Sequence, residues 1–135
     1  MKLMVCIEMR NGILFNHRRV SQDRVVTEDI LKECEGNLWI GTYSESLFQD
    51  FEQGGIQVND AYLSKAKTSD WCFVETAFTE QTAEQADEII VYQWNRRYPA
   101  DVFLTWSMDG WIVESQTELA GFSHEKITKT HYRRK

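Results

Sequence analysis

The chain has 135 residues, 42% of them hydrophobic and 13% aromatic, enough apolar material for a core and too much for a disordered segment. Its formal net charge is −6, and no apolar run approaches the roughly 18 residues that a membrane-spanning helix needs. One proline and no Gly/Ser-rich tract leave no linker, so residues 1–135 read as one globular domain.

The first element is "KLMVCIEM", an apolar, β-branched run that reads as a central strand. Asn11-Gly12 follows, the strongest short hairpin signal, and "ILF" returns as a second strand. Ser21 is placed to cap a helix over "QDRVVTEDILKECE", with Asp23 in its first turn. Val26, Ile30 and Cys34 share one face of that helix, and Gly36 ends it. "LWIGTY" is a third strand. Ser44 caps a short helix, "ESLFQDFEQ", stopped by Gly54-Gly55, and a further short helix falls between Asn59 and Ala66. "WCFVE" is a fourth strand, "TEQTAEQA" an acidic helix, and "EIIVYQW" a strand by its β-branched and aromatic content. "VFLTW" and "WIVES" read as a closing hairpin around "SMDG", with Trp106 and Trp111 placed to pair across it. Ser123 caps a C-terminal helix over "HEKITKTHYRRK", whose basic last turn suits the helix dipole. Strands alternating with helices predict an α/β (or α+β) layered fold, with a mixed sheet of about six strands, an N-terminal β-hairpin and a C-terminal helix.

Cys6, Cys34 and Cys72 are odd in number, form no C-x-x-C and fall in predicted core elements. They read as buried, reduced thiols, and with no signal peptide visible at "MKLMVCIEMR" they predict a cytoplasmic location. Charge is unevenly placed: residues 1–26 carry +3, residues 27–94 carry −11 and residues 95–135 carry +2. The acidic middle argues against a protein that coats nucleic acid directly.

Arginine pairs recur at Arg18-Arg19, Arg96-Arg97 and Arg133-Arg134. The first two lie just past predicted strand ends, where open α/β sheets collect ligands, and the first also leads into a helix N-terminus. Guanidinium forks match phosphate and carboxylate bidentately. His17, Arg18, Arg19, Ser21, Asn95, Arg96, Arg97 and His124 are therefore the candidate ligand-binding residues. Solvated turns and intramolecular ion pairs with the abundant acids are the structural alternative for each pair. "RRVSQD" also carries the R-V-S-x-D letters of serine recombinases, but here a hairpin separates it from the first strand and Ser21 reads as a cap.

His17, His124 and His131 are not spaced with carboxylates as a metal motif, so no metal is predicted. G-x-G-x-x-G, the Walker loop and G-x-S-x-G are all absent, so no cofactor is predicted. The stretches "LFNHRRVSQDR", "LWIGTYS", "YQWNRRYPAD" and "GFSHEKIT" resemble a small uncharacterised bacterial protein family that sometimes carries the label ribonuclease Z. That resemblance implies a compact single domain. The label would require an H-x-H-x-D-H zinc motif, which three scattered histidines do not supply. The expected function is a small binding or regulatory module that recognises a protein partner or a small anionic, phosphate-bearing ligand through its arginine-rich edge. The competing expectations are a metal-independent phosphoesterase or ribonuclease-like enzyme using the arginines and a histidine, and an acidic inhibitor of a nucleic-acid-binding protein.

Overall fold

The computed structural model describes residues 1–51 and 54–135. In chain order the elements are β1 (Lys2–Ile7), β2 (Gly12–Phe15), β3 (Arg18–Arg19), α1 (Arg24–Cys34), β4 (Leu38–Ile40), α2 (Glu45–Phe48), β5 (Ile56–Val58), α3 (Tyr62–Lys65), β6 (Trp71–Phe73), β7 (Phe78–Thr79), α4 (Glu80–Glu84), β8 (Glu88–Gln93), β9 (Val102–Thr105), β10 (Trp111–Leu119) and β11 (Ile127–Arg134). A seven-stranded sheet runs β10-β11-β8-β1-β6-β4-β5, and a four-stranded sheet runs β3-β2-β9-β7. The mixed α+β class expected from the sequence is present.

β1 is the axis of the large sheet. It pairs in parallel with β6 on one edge and with β8 on the other. Its residues alternate between two cores, as the pleat requires. Leu3 and Val5 meet Cys72, Ile89, Ala83 and Trp106, while Met4 meets Ile30, Phe73, Ile90 and Tyr92. The second core is closed by α1, whose buried side chains are Val26, Thr27, Ile30, Leu31 and Cys34. That is the face the sequence predicted, and Gly36 follows at a φ of 84° as a helix-ending residue should.

Several expectations are corrected. The expected N-terminal hairpin does not form a ladder. The chain turns through Asn11, at φ 70°, but β2 joins the small sheet beside β9. Both edges of β1 are already taken by parallel partners, so no edge remains for β2. The expected C-terminal helix is a strand. Ile127, Thr128, Thr130 and Tyr132 are β-branched or aromatic, and β11 pairs antiparallel with buried β8. The closing hairpin is therefore β10–β11, not "VFLTW" with "WIVES". Trp106 and Trp111 still meet edge to face, 5.2 Å apart between ring centres. Asp23, not Ser21, caps α1, its carboxylate accepting the Val25 amide at 2.9 Å. Ser44 makes no cap bond and donates its hydroxyl to Glu75 instead, at 2.8 Å. The helix expected over "ESLFQDFEQ" is observed only over Glu45–Phe48; residues 52 and 53 lie outside the described residues.

Candidate functional site

β1 and β6 are neighbours whose connections part company. The chain leaving β1 reaches β4 through α1 on one face, and the chain leaving β6 reaches β8 through β7 and α4 on the other. Such a divergence opens a crevice at the carboxyl ends of the two strands. Here the crevice is lined by Cys6, Arg19, Ser21, Asp23, Glu75 and Trp94, among others.

Arg19 and Glu75 occupy its floor as a bidentate pair, both contacts 2.8 Å. The Ser44 hydroxyl completes the Glu75 carboxylate, and the Arg19 guanidinium lies 4.8 Å from the Tyr43 ring centre. Burial, and then the Glu75 charge, push the Cys6 thiol pKa well above its ordinary value. Although Cys6 keeps partial exposure as a residue, its sulfur faces this ion pair.

Beside the pair stands a relay. The Ser21 Oγ lies 2.9 Å from His124 Nε2, and His124 Nδ1 lies 2.8 Å from Asp23 Oδ2. Tyr98 Oη reaches the same Nε2 at 3.0 Å, and Trp94 stacks on the imidazole with centroids 4.7 Å apart. His124 and Asp23 are both buried, at 4% exposure each. Burial alone would raise the Asp23 pKa. The amides of Phe122, Ser123 and Val25 and the His124 ring outweigh it and hold the carboxyl far below its usual range. An ionised Asp23 makes Nδ1 the donor and turns Nε2 towards Ser21 and Tyr98.

Glu8, fully buried just beyond β1, is saturated in the same way. Its carboxylate accepts the amides of Arg10 at 2.6 Å, Gly12 at 2.7 Å and Tyr98 at 3.3 Å. These bonds, with the Arg10 side chain, outweigh the penalty of burial and lower its pKa.

The candidate residues divide. Ser21, His124 and Arg19 meet at the crevice. Arg18 lines a shallow depression with Phe15, Asn16 and Pro99. Arg96 and Asn95 line another with Trp94 and Lys126. The Asn95 amide donates to the Lys126 carbonyl and the Thr128 hydroxyl. His17, at φ 65°, and Arg97 are exposed on the turns nearby. The third arginine pair lies elsewhere: Arg134 donates to carbonyls of Ala83, Glu84 and Ala86 and covers the Trp111 ring. Sequence reasoning missed Asp23, Glu75, Glu8, Trp94 and Tyr98 as site residues. Each except Tyr98 reads as core or cap, and only tertiary contacts give them a site: Glu75 meets Arg19 across 56 positions, Asp23 meets His124 across 101, and Trp94 and Tyr98 meet His124 across 30 and 26. Among the described residues, Glu88, Glu114 and His131 also come within 4.8 Å of one another on the face of the large sheet.

A parallel core with an antiparallel edge hairpin and a crevice at the point of divergence make up an open α+β architecture. The arrangement is similar to the fold of dihydrofolate reductase. The chain superposes on dihydrofolate reductase from Enterococcus faecalis, a structure in complex with NADP(H) and RAB-propyl, with a TM-score of 0.68 at 10% identity, covering 98% of this chain and 95% of that one. No family model matches the sequence, and no curated protein does.

Proposed function

We propose that this protein is a ligand-binding domain on the dihydrofolate-reductase fold, taking a phosphate-bearing nucleotide at the carboxyl end of its parallel strands. One observation carries the reading: Arg18, Arg96 and Arg97 make no ion pair among the described residues. Three buried acids at this end are engaged elsewhere, while Glu125 shares the Arg96 depression without forming an ion pair among the described residues. Glu8 is spent largely on backbone amides, Asp23 on amides and His124, and Glu75 on Arg19. Unneutralised guanidiniums beside a crevice attract anions and can grip phosphate through two bonds. The fold match adds a candidate of that chemistry, since the matched reductase is described as complexed with NADP(H).

Calorimetric titration with NADP(H) at low and high salt tests this. Wild type should bind, with affinity falling as salt rises. Replacing Arg18, Arg96 and Arg97 together with glutamine should remove the binding, because each charge-assisted bond contributes roughly 1.5–3 kcal/mol. No heat from wild type at low salt, or equal heats from both proteins, sinks the proposal. A spectrophotometric assay of nicotinamide oxidation with dihydrofolate separates binding alone from hydride transfer.

A further inference from the structure

The Ser21–His124–Asp23 relay has the full geometry of an activated nucleophile, and nucleotide binding at the arginine edge makes no use of it. We propose that Ser21 is a nucleophilic serine of an acyl-transfer site that hydrolyses small carboxylic esters with an apolar acyl or aryl group. A serine hydroxyl is a weak nucleophile until a base stands within hydrogen-bond reach and a third group fixes that base. Both contacts are present here, at 2.9 Å and 2.8 Å. The orienting group is well anchored: Asp23 also accepts amides from Phe122 and Ser123 at 2.9 Å and from His124 at 3.2 Å. The Trp94 ring, stacked on His124, fixes the plane of the imidazole.

The crevice at Ser21 itself holds only about 10 Å³, and open space adjoins the relay on its Asp23 side. A groove of about 310 Å³ runs between the first turn of α1, α2 and the 122–123 loop, and shares Gln22, Asp23, Thr27 and Leu47 with the crevice that holds Ser21. Its apolar wall is Leu47, Phe51 and Phe122, the last 82% exposed. That lining suits an aryl or short acyl group. Tyr98 Oη also reaches Nε2, at 3.0 Å; it shares that nitrogen with Ser21 and must release it to donate to a developing oxyanion.

The step balances without a cofactor. Ser21 Oγ bonds to the ester carbonyl carbon while its proton passes to His124 Nε2. The carbon–oxygen bond to the leaving group breaks, and Nε2 returns the proton to the departing oxygen. Water, its proton taken by the same nitrogen, then cleaves the acyl-serine to a carboxylic acid and free Ser21.

The test uses p-nitrophenyl acetate and a fluorophosphonate, with the adduct located by peptide mass spectrometry. Wild type should release nitrophenol and carry the phosphonyl group on Ser21, and Ser21→Ala should do neither. General-base assistance is typically about 10²–10⁴-fold, so His124→Gln should slow labelling by at least about 100-fold. Folding of each variant is checked by circular dichroism. Should His124→Gln fail to fold, Ser21→Cys gives a second reading. Its thiol, paired with His124, should react with iodoacetamide faster than free cysteine at pH 6, with wild type as the background. No adduct on Ser21 in folded wild type, labelling unchanged in folded His124→Gln, or a Ser21→Cys thiol no faster than free cysteine overturns the proposal. Because NADP(H) titration reads the arginine edge and phosphonylation reads Ser21, either reading can fail alone.

Discussion

Asp23 is where several demands meet in one side chain. It caps α1, holds the 122–124 loop and orients His124. Removing its carboxylate leaves the buried His124 N–H and the amides it accepts without a partner, so Asp23→Ala should lower stability by at least about 1–3 kcal/mol, the cost of one unsatisfied buried donor, in urea unfolding. Ser21→Ala should cost no more than about 1.5 kcal/mol, the scale of one hydrogen bond, since Ser21 is outside the cap. Because the folded Asp23 pKa is depressed, its contribution is complete above the unfolded value of about 4 and is lost as pH falls towards the folded one. Acid titration by circular dichroism should show wild type losing stability below about pH 4, with Asp23→Asn losing less over the same range. The thiols belong to this scale too. Burial pushes Cys34 and Cys72 up to about 12 and Cys6 well above its ordinary value. All three should react slowly with a thiol reagent in the native protein and fully after denaturation; fast native labelling of any one contradicts its burial.

Among the elements, the turn from β1 into β2 leaves no room for a side chain at Gly12. A Cβ on Gly12 would collide with the Ala100 methyl and the buried Glu8 carboxylate. Gly12→Ala should therefore destabilise by about 1–3 kcal/mol, read as a lower urea midpoint at unchanged slope. β11 is fixed to α1 by Lys129, which pairs with Asp29 at 2.7 Å and Glu33 at 2.5 Å. Tyr92 donates to the same Asp29 at 2.6 Å, so one carboxylate joins α1, β8 and β11. These contacts, with the ladder between β8 and β11, explain why a segment ending in a basic run is a strand: its partner was already waiting in the core.

Across the molecule, charge is sorted by tertiary structure more than by chain position. The acidic middle segment is partly neutralised by basic residues from both ends, through Arg19 with Glu75, Lys129 with Asp29 and Glu33, and Lys2 with Glu88. Such cross-links join the acidic middle segment to both ends of the chain. No helix among the described residues is long and apolar enough to cross a membrane. Both cores share β1, so residues 1–135 are expected to unfold in one cooperative transition; a second calorimetric transition would divide them.

The sequence by itself determined the central strands, the amphipathic face and glycine stop of α1, and the arginine clusters near strand ends. Those features rest on local periodicity, side-chain shape and backbone preference, which neighbours in the chain are enough to express. It also put Ser21, Arg19 and His124 among the candidates, by residue type. What it left open was partnership. Whether "ILF" pairs with β1 depends on which edges of β1 are already filled, and whether "ITKTHYRR" is helix or strand depends on β8 lying beside it. Only the tertiary structure brought Asp23 to the histidine it orients, 101 residues away, and Arg19 to the carboxylate it binds, 56 residues away. A hydrogen bond or ion pair is decided by distances of about 3 Å in space, and separation along the chain carries no record of them.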